Sequence, residues 1–164
     1  MKKALIIALL LAPMSMMAQK FGHFNSSELV QLLPEWTTAQ TELQTLAKQY
    51  DDDLKRMQDE LQKKADEFQK EQANLLENVR ARREQELNDL YQRVMQSRDD
   101  NQQAFQKAQA EKMQAISEKI TAAVKKIGDE GGYVYIMDIT AGIPYISEKL
   151  STDITPELKK ALGI

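Results

Sequence analysis

From Glu35 to Ile127 the chain runs 93 residues without a glycine or a proline, although it holds six and four of them elsewhere. Gln, Glu, Lys, Arg, Ala, Leu and Asp dominate the stretch, and most of these are strong helix formers. Apolar residues recur at Trp36, Ala39, Leu43, Leu46, Tyr50, Leu54, Met57, Leu61, Ala65 and Phe68, in steps of three or four. That is the seam of a coiled coil. A second seam runs through Leu87, Leu90 and Val94, then Phe105 and Ala108, and on through Ile116, Ile120, Ala123 and Ile127.

One straight helix of this length would reach roughly 140 Å, so the stretch must fold back or pair along its length. An antiparallel hairpin buries both stripes. Its tip is expected between residues 72 and 82, where the first pattern loses phase and Asn74 and Asn78 offer capping side chains. Each arm would then be about 55 to 70 Å long, too long for a globular unit. Between Gln96 and Gln103 no apolar residue occurs. A polar interruption weakens a seam, so this stretch reads either as loose packing that lets the arms bend or as a solvated patch without a role.

The ends differ in kind. Lys20 to Asn25 suits a strand, Ser26 or Ser27 can cap a short helix through Leu33, and Pro34 fits the first turn of the next helix. Gly128, Gly131 and Gly132 stop the long helix, and Tyr133 to Asp138 is rich in strand formers. Ile143 to Ser147 reads as another strand with Pro144 near its start. In a terminal helix Thr155 caps, Pro156 opens, and Leu158 and Leu162 face inward before Gly163. The expected fold is α+β and mostly α, with a small β-containing body from residues 19–35 and 128–164 and a hairpin arm over 36–127. The body's 54 residues are too few for a self-sufficient core, and with no cysteine to staple it, homo-oligomerisation is the remaining common solution.

Residues 1–18 read as a cleavable secretory signal peptide, with Lys2 and Lys3, an apolar run from Ala4 to Ala12, and Ala18 at the cut. The run is too short to span a bilayer. Export of a cysteine-free chain fits the oxidising periplasm. Without Lys2 and Lys3 the balance is 20 basic against 25 acidic residues, which argues against a nucleic-acid partner.

Catalytic chemistry finds few candidates, and neither enzyme activity nor a cofactor or metal is expected. His23 is the only histidine and reads as a bystander in a strand. No glycine-rich phosphate loop occurs, so ATP-driven work lacks a binding motif. Asp51, Asp52 and Asp53 lack the alternating ligands and central glycine of a calcium loop and read as a solvated face. Residues 61–83 hold six basic residues, Lys63, Lys64, Lys70, Arg80, Arg82 and Arg83, against four acidic ones. This basic tip either keeps the helices soluble or approaches anionic lipid headgroups. Met57 and Phe68 keep the phase of the seam, while Leu75, Leu76 and Phe105 suit either seam packing or promiscuous contact with unfolded chains.

The layout resembles the Skp (OmpH-like) family of periplasmic chaperones: Lys20-Phe21-Gly22-His23-Phe24-Asn25-Ser26-Ser27-Glu28-Leu29, a long Gln- and charge-rich hairpin, Tyr133-Val134-Tyr135-Ile136-Met137-Asp138, then Asp153-Ile154-Thr155-Pro156-Glu157-Leu158. The resemblance covers the whole chain after residue 18. It implies a jellyfish-like trimer, in which three chains join in a small β-containing body and three hairpins surround a cavity that holds unfolded outer-membrane proteins without ATP. Phe21, Phe24, Val134, Ile136, Ile143 and Tyr145 would then help form the body and its trimer contacts, and residues from about Thr38 to Lys125 would line the cavity. The strongly basic members attract clients partly by charge. This chain is acidic and keeps only the positive excess of its tip. The alternative is a structural coiled-coil spacer or envelope scaffold that binds a folded partner or a membrane surface.

Overall fold

The computed structural model describes residues 19–164, so the signal peptide expected over residues 1–18 lies outside the described residues. Strand β1 (Lys20–Phe24) leads into helix α1 (Ser26–Leu32) and helix α2 (Pro34–Glu71). A 3-10 turn at Gln72–Asn74 precedes helix α3 (Glu77–Gly131). Strand β2 (Tyr133–Asp138), a 3-10 turn (Ile139–Ala141), strand β3 (Ser151–Asp153) and helix α4 (Thr155–Leu162) complete the chain. The described residues divide into two compact units, one of residues 38–113 and the other of residues 19–37 with 114–164. The second unit extends further back along α3 than the expected 128–164, because the stripe residues Ile116 and Ile120 are buried within it.

In the unit that contains the sheet, β1 lies at the centre in the order β2-β1-β3 and pairs in parallel with both neighbours. Parallel neighbours need long crossovers, which the helices supply. Lys20 faces Tyr133 while Phe21 faces Tyr135, so Val134 is the extra residue of a bulge. The Phe21 and Tyr135 rings stack with centroids 6.1 Å apart. The strand expected at Ile143–Ser147 does not form; Ser151–Asp153 pairs with β1 instead. The Ile154 N–H then donates to the His23 carbonyl at 2.9 Å. Pro144 has no N–H to give a ladder, and Ile143 and Tyr145 carry a strand propensity that finds no partner strand here.

Helix boundaries follow local chemistry, with three corrections. The cap of α1 is Asn25, whose side chain accepts from the Glu28 N–H at 3.1 Å, rather than Ser26 or Ser27. Helix α3 runs through Gly128 and Gly131 and stops at Gly132, whose φ of 66° suits glycine. A Cβ on Gly131 would come within 2.5 Å of the Tyr133 ring, so close approach rather than helix breaking demands a glycine there. Thr155 is the first residue of α4 and not its cap; the preceding Asp153 carboxylate accepts from the Thr155 N–H at 2.9 Å. Leu162 is half-buried where Leu158 is fully buried.

Leu29, Leu33, Ile154 and Leu158 are the largest completely buried side chains, and they come from α1, α4 and the residues next to them. The two helices lie side by side, and Lys159 pairs with Glu28 between them. Lys119 pairs with Glu35 and, through that hydrogen bond first, holds the Glu35 carboxyl below its ordinary value. Asp138 ends β2 by accepting from the Ser26 N–H at 3.2 Å, the Thr140 N–H at 3.0 Å and the Thr140 hydroxyl at 2.8 Å. Burial opposes its ionisation, but these hydrogen bonds outweigh it and lower its pKa. At Asp153 the Thr155 hydrogen bond is the largest cause of a lowered pKa, with His23 and Lys159 adding favourable charge.

Two outcomes follow from this core. Leu29→Ala should lower the unfolding free energy in urea by about 2–5 kcal/mol at fixed chain concentration. Leu76→Ala should change it by less than about 0.5 kcal/mol, since that side chain is exposed. Because Asp138 and Asp153 have lowered folded-state pKa values, their contribution to stability is present above the unfolded carboxylate pKa of about 3.9 and is lost as pH falls through the folded value. The urea midpoint of Asp138→Asn with Asp153→Asn should therefore fall less steeply on acidification from neutral pH than that of the parent chain.

Candidate functional site

Within the unit of residues 38–113, α2 and α3 form an antiparallel pair. Glu42 pairs with Lys112, and near the turn Glu71 lies 4.0 Å from Arg83. The turn sits at 72–76, at the start of the expected window. There Leu75 is extended, and the Leu76 carbonyl accepts from the Val79 and Arg80 N–H groups at 2.9 Å. Asn78 lies inside α3 and caps nothing. Gln72 Nε2 donates to the Gln69 carbonyl at 3.4 Å, while among the described residues Asn74 makes no side-chain hydrogen bond, so the asparagines expected to mark the turn carry no role in closing it.

The seam of α2 is half-buried at Leu43, Leu46, Tyr50, Leu54, Met57, Leu61, Ala65 and Phe68. These steps of three, four and four make an eleven-residue repeat, close enough to the natural helix period to ask for little supercoiling. On α3 the protected positions are Val79, Arg83, Leu87, Leu90, Val94, Ser97, Asn101, Phe105, Ala108 and Lys112. Leu90 and Val94 are buried; Ser97 and Asn101 occupy the next two seam positions and have too little apolar surface to fill them. The polar stretch at 96–103 is thus an interruption of the seam and not only a solvated patch.

Grooves open where that filling fails. One, of about 550 Å³, is lined by Ala47, Tyr50, Asp51 and Leu54 of α2 with Arg98, Asn101, Gln102, Phe105, Gln106 and Gln109 of α3. A smaller one of about 360 Å³ shares Tyr50 and Asn101 but is lined otherwise by Asp53, Arg56, Met57, Glu60 and Ser97. Arg56 pairs with Asp53 there, and Lys48 donates to Asp52 at 2.7 Å nearby. The lysine's hydrogen bond lowers the Asp52 pKa, and the same bond raises that of Lys48. The three consecutive aspartates therefore face different neighbours, and among the described residues no group of three or more His, Asp or Glu converges as metal ligands.

The five residues singled out for client contact separate. Phe105 is half-buried in the wall of the large groove, and Met57 lines the smaller one. Phe68 and Leu75 are half-buried, whereas Leu76 at the turn is 73% exposed. Of the six basic tip residues, Lys64 lies 3.9 Å from Glu60, Arg82 lies 3.6 Å from Glu86, and Arg83 reaches Glu71. Lys63, Lys70 and Arg80 make no ion pair among the described residues. Arg98, Asn101 and the glutamines of the groove are additions to the sequence-based candidates. Their signal was available in the phase of Ser97 and Asn101 relative to Val94 and Phe105.

In the other unit, Phe24 is buried, Phe21, Ile136 and Ile143 are half-buried, and Val134 and Tyr145 are exposed. Tyr135, Met137 and Leu150 add to its exposed apolar surface. His23 is more than a bystander, since its Nδ1 lies 2.8 Å from the Ser151 hydroxyl and links β1 to β3. Among the described residues no helix is long and apolar enough to cross a membrane.

Comparison with known proteins agrees with this architecture. The family model described as outer membrane protein (OmpH-like) matches residues 20–162. A solved structure of a candidate outer membrane chaperone (OmpH-like) from Caulobacter crescentus CB15 superposes with a TM-score of 0.73 at 12% identity, covering 88% of this chain and 83% of that one. At that identity the likeness is one of fold. No curated protein matches the chain in sequence. With the family model spanning nearly all of the described residues and the fold shared, the chain belongs to the OmpH-like family of outer membrane proteins.

Proposed function

We propose that the chain is an ATP-independent holdase of the periplasm, exported by the signal peptide of residues 1–18, that holds unfolded outer-membrane proteins and keeps them from aggregating. Membership of the OmpH-like family carries the reading. The hairpin supports it physically, because a seam interrupted at Ser97 and Asn101 leaves apolar groove walls at Tyr50, Leu54 and Phe105 unfilled. Each apolar contact with a client is small, about 25 cal/mol per Å² removed from water, and many of them together hold a chain that has not buried its own apolar surface. Release needs no fuel once the client folds into a membrane and no longer competes for those contacts. Met57, Phe68, Leu75, Leu76 and Phe105 would share the contact.

In this reading three copies join through a body of residues 19–35 and 128–164, with 36–127 as the arm. Support comes from β2, which is an edge strand with Val134, Tyr135 and Met137 exposed, and from Tyr145 and Leu150 beyond it. An exposed apolar edge invites pairing unless another chain covers it. Phe21, Phe24, Ile136 and Ile143 would form the inner part of this body. The unpaired Lys63, Lys70 and Arg80 would bring the arm tips toward anionic lipid headgroups.

Light scattering of a urea-diluted outer-membrane β-barrel protein, with three mature chains per client and no ATP, tests the reading when molar mass is taken in the same run. The expected result is suppressed scattering by a species of trimer mass. Unchanged aggregation beside a well-formed oligomer would overturn the holdase and favour the spacer or scaffold.

A further inference from the structure

The two flanks of α3, on either side of its seam, differ in chemistry. Successive helix positions at Tyr91, Met95, Arg98, Gln102, Gln106, Gln109 and Met113 share one flank, by the i, i+3 and i+4 rule. Arg98, Gln102 and Gln109 line the large groove, which fixes this flank as the one facing it. Tyr91, Met95 and Met113 are exposed, and with Leu76 they are the exposed large apolar residues of the unit of residues 38–113. Those seven positions include no carboxylate. The opposite flank is charged and carries pairs of its own: Gln96 donates to Asp100 at 2.8 Å, and Lys107 lies 3.9 Å from Glu111.

The polar groups of the first flank have no such partners. Gln102, Gln106 and Gln109 make no side-chain hydrogen bond among the described residues, and Arg98 makes no ion pair there. A carboxamide offers one acceptor and two donors, the complement of a peptide group in any sequence. Methionine and tyrosine adapt to many apolar shapes. The groove between Tyr50, Leu54 and Phe105, at about 550 Å³, has room for a large apolar side chain.

The geometry points to this flank and its groove as the surface that grips a client, and to its occupant as an extended segment of unfolded polypeptide with an apolar side chain beside an acidic group. The apolar side chain enters the groove, the glutamines bond the segment's backbone, and Arg98 meets the carboxylate, which repulsion from Asp51, across the groove on α2, keeps to the α3 side. A second helix fits poorly, because a coiled-coil partner wants apolar residues every three or four positions and here four polar side chains separate Met95 from Met113. An anionic membrane fits poorly too, with Arg98 the single cation among those seven positions. The inference rests on the holdase reading and names its gripping surface.

The chain has no cysteine, so a single one reports one position. Gln102→Cys and Ala104→Cys lie on opposite flanks, and each would carry a polarity-sensitive thiol dye while a urea-diluted outer-membrane β-barrel protein is added. The dye should shift to the blue at position 102 and stay unchanged at 104. Met95→Glu with Met113→Glu should weaken client retention by roughly tenfold. Ala104→Glu with Ala110→Glu, carrying the same added charge elsewhere on α3, should leave it within about twofold. Circular dichroism of both pairs checks that the helices persist. A shift at 104, equal shifts, or equal losses from the two glutamate pairs would overturn the inference while parent chains still suppress aggregation; parent chains that fail to suppress it would overturn the holdase reading and this inference together.

Discussion

The antiparallel pair of α2 and α3 depends on one seam, because each helix carries a single apolar stripe and no third layer of the described residues covers the other faces. Most helical stability in proteins comes from burying such a face rather than from propensity. In this pair the burial is incomplete almost everywhere: the α2 positions from Leu43 to Phe68 are half-buried, and full burial on α3 is confined to Leu90 and Val94 within the unit. Ser97 and Asn101 take two of the seam positions out of the apolar stripe altogether. The groove lined by Tyr50 and Phe105 is the physical result, and the ion pairs around it are exposed and add little.

The unit that contains the sheet follows a different rule. Its small core is defined by Leu29, Leu33, Ile154 and Leu158, and its polar ends are closed by side chains that accept backbone N–H groups: Asn25 for α1, Asp138 for the turn after β2, and Asp153 for α4. Such closures let three strands and two short helices hold together without a disulfide. They leave β2 with an open edge and exposed Val134, Tyr135 and Met137. That edge is where the holdase reading places neighbouring copies.

Much of the helical organisation was legible because it is written in period and composition. The absence of glycine and proline between Glu35 and Ile127 and the three-four spacing of apolar residues require long paired helices. Features decided by long-range partners were not legible. Ile143 to Ser147 has better strand propensity than Ser151 to Asp153, yet only the latter meets β1 in register. Asn25, Ser26 and Ser27 are all competent caps, and the geometry of the chain leaving β1 selects Asn25. Gly128 was misleading because a helix tolerates an isolated glycine when the surrounding residues continue it. At the candidate site, Phe105 was visible as an apolar residue in polar surroundings. Arg98, Asn101 and Gln102 were legible only through helix phase, since a polar residue announces nothing until its position is counted from apolar neighbours such as Val94 and Phe105.

Hydrogen exchange of the backbone amides along α3, followed residue by residue in the mature chain without client, addresses the interrupted seam most directly. Amides between Gln96 and Gln103 should exchange faster than those between Leu87 and Val94, since local opening there exposes little apolar surface. Equal protection along both stretches would mean that Ser97 and Asn101 leave the pairing intact, and that the groove is not a weakness of the seam.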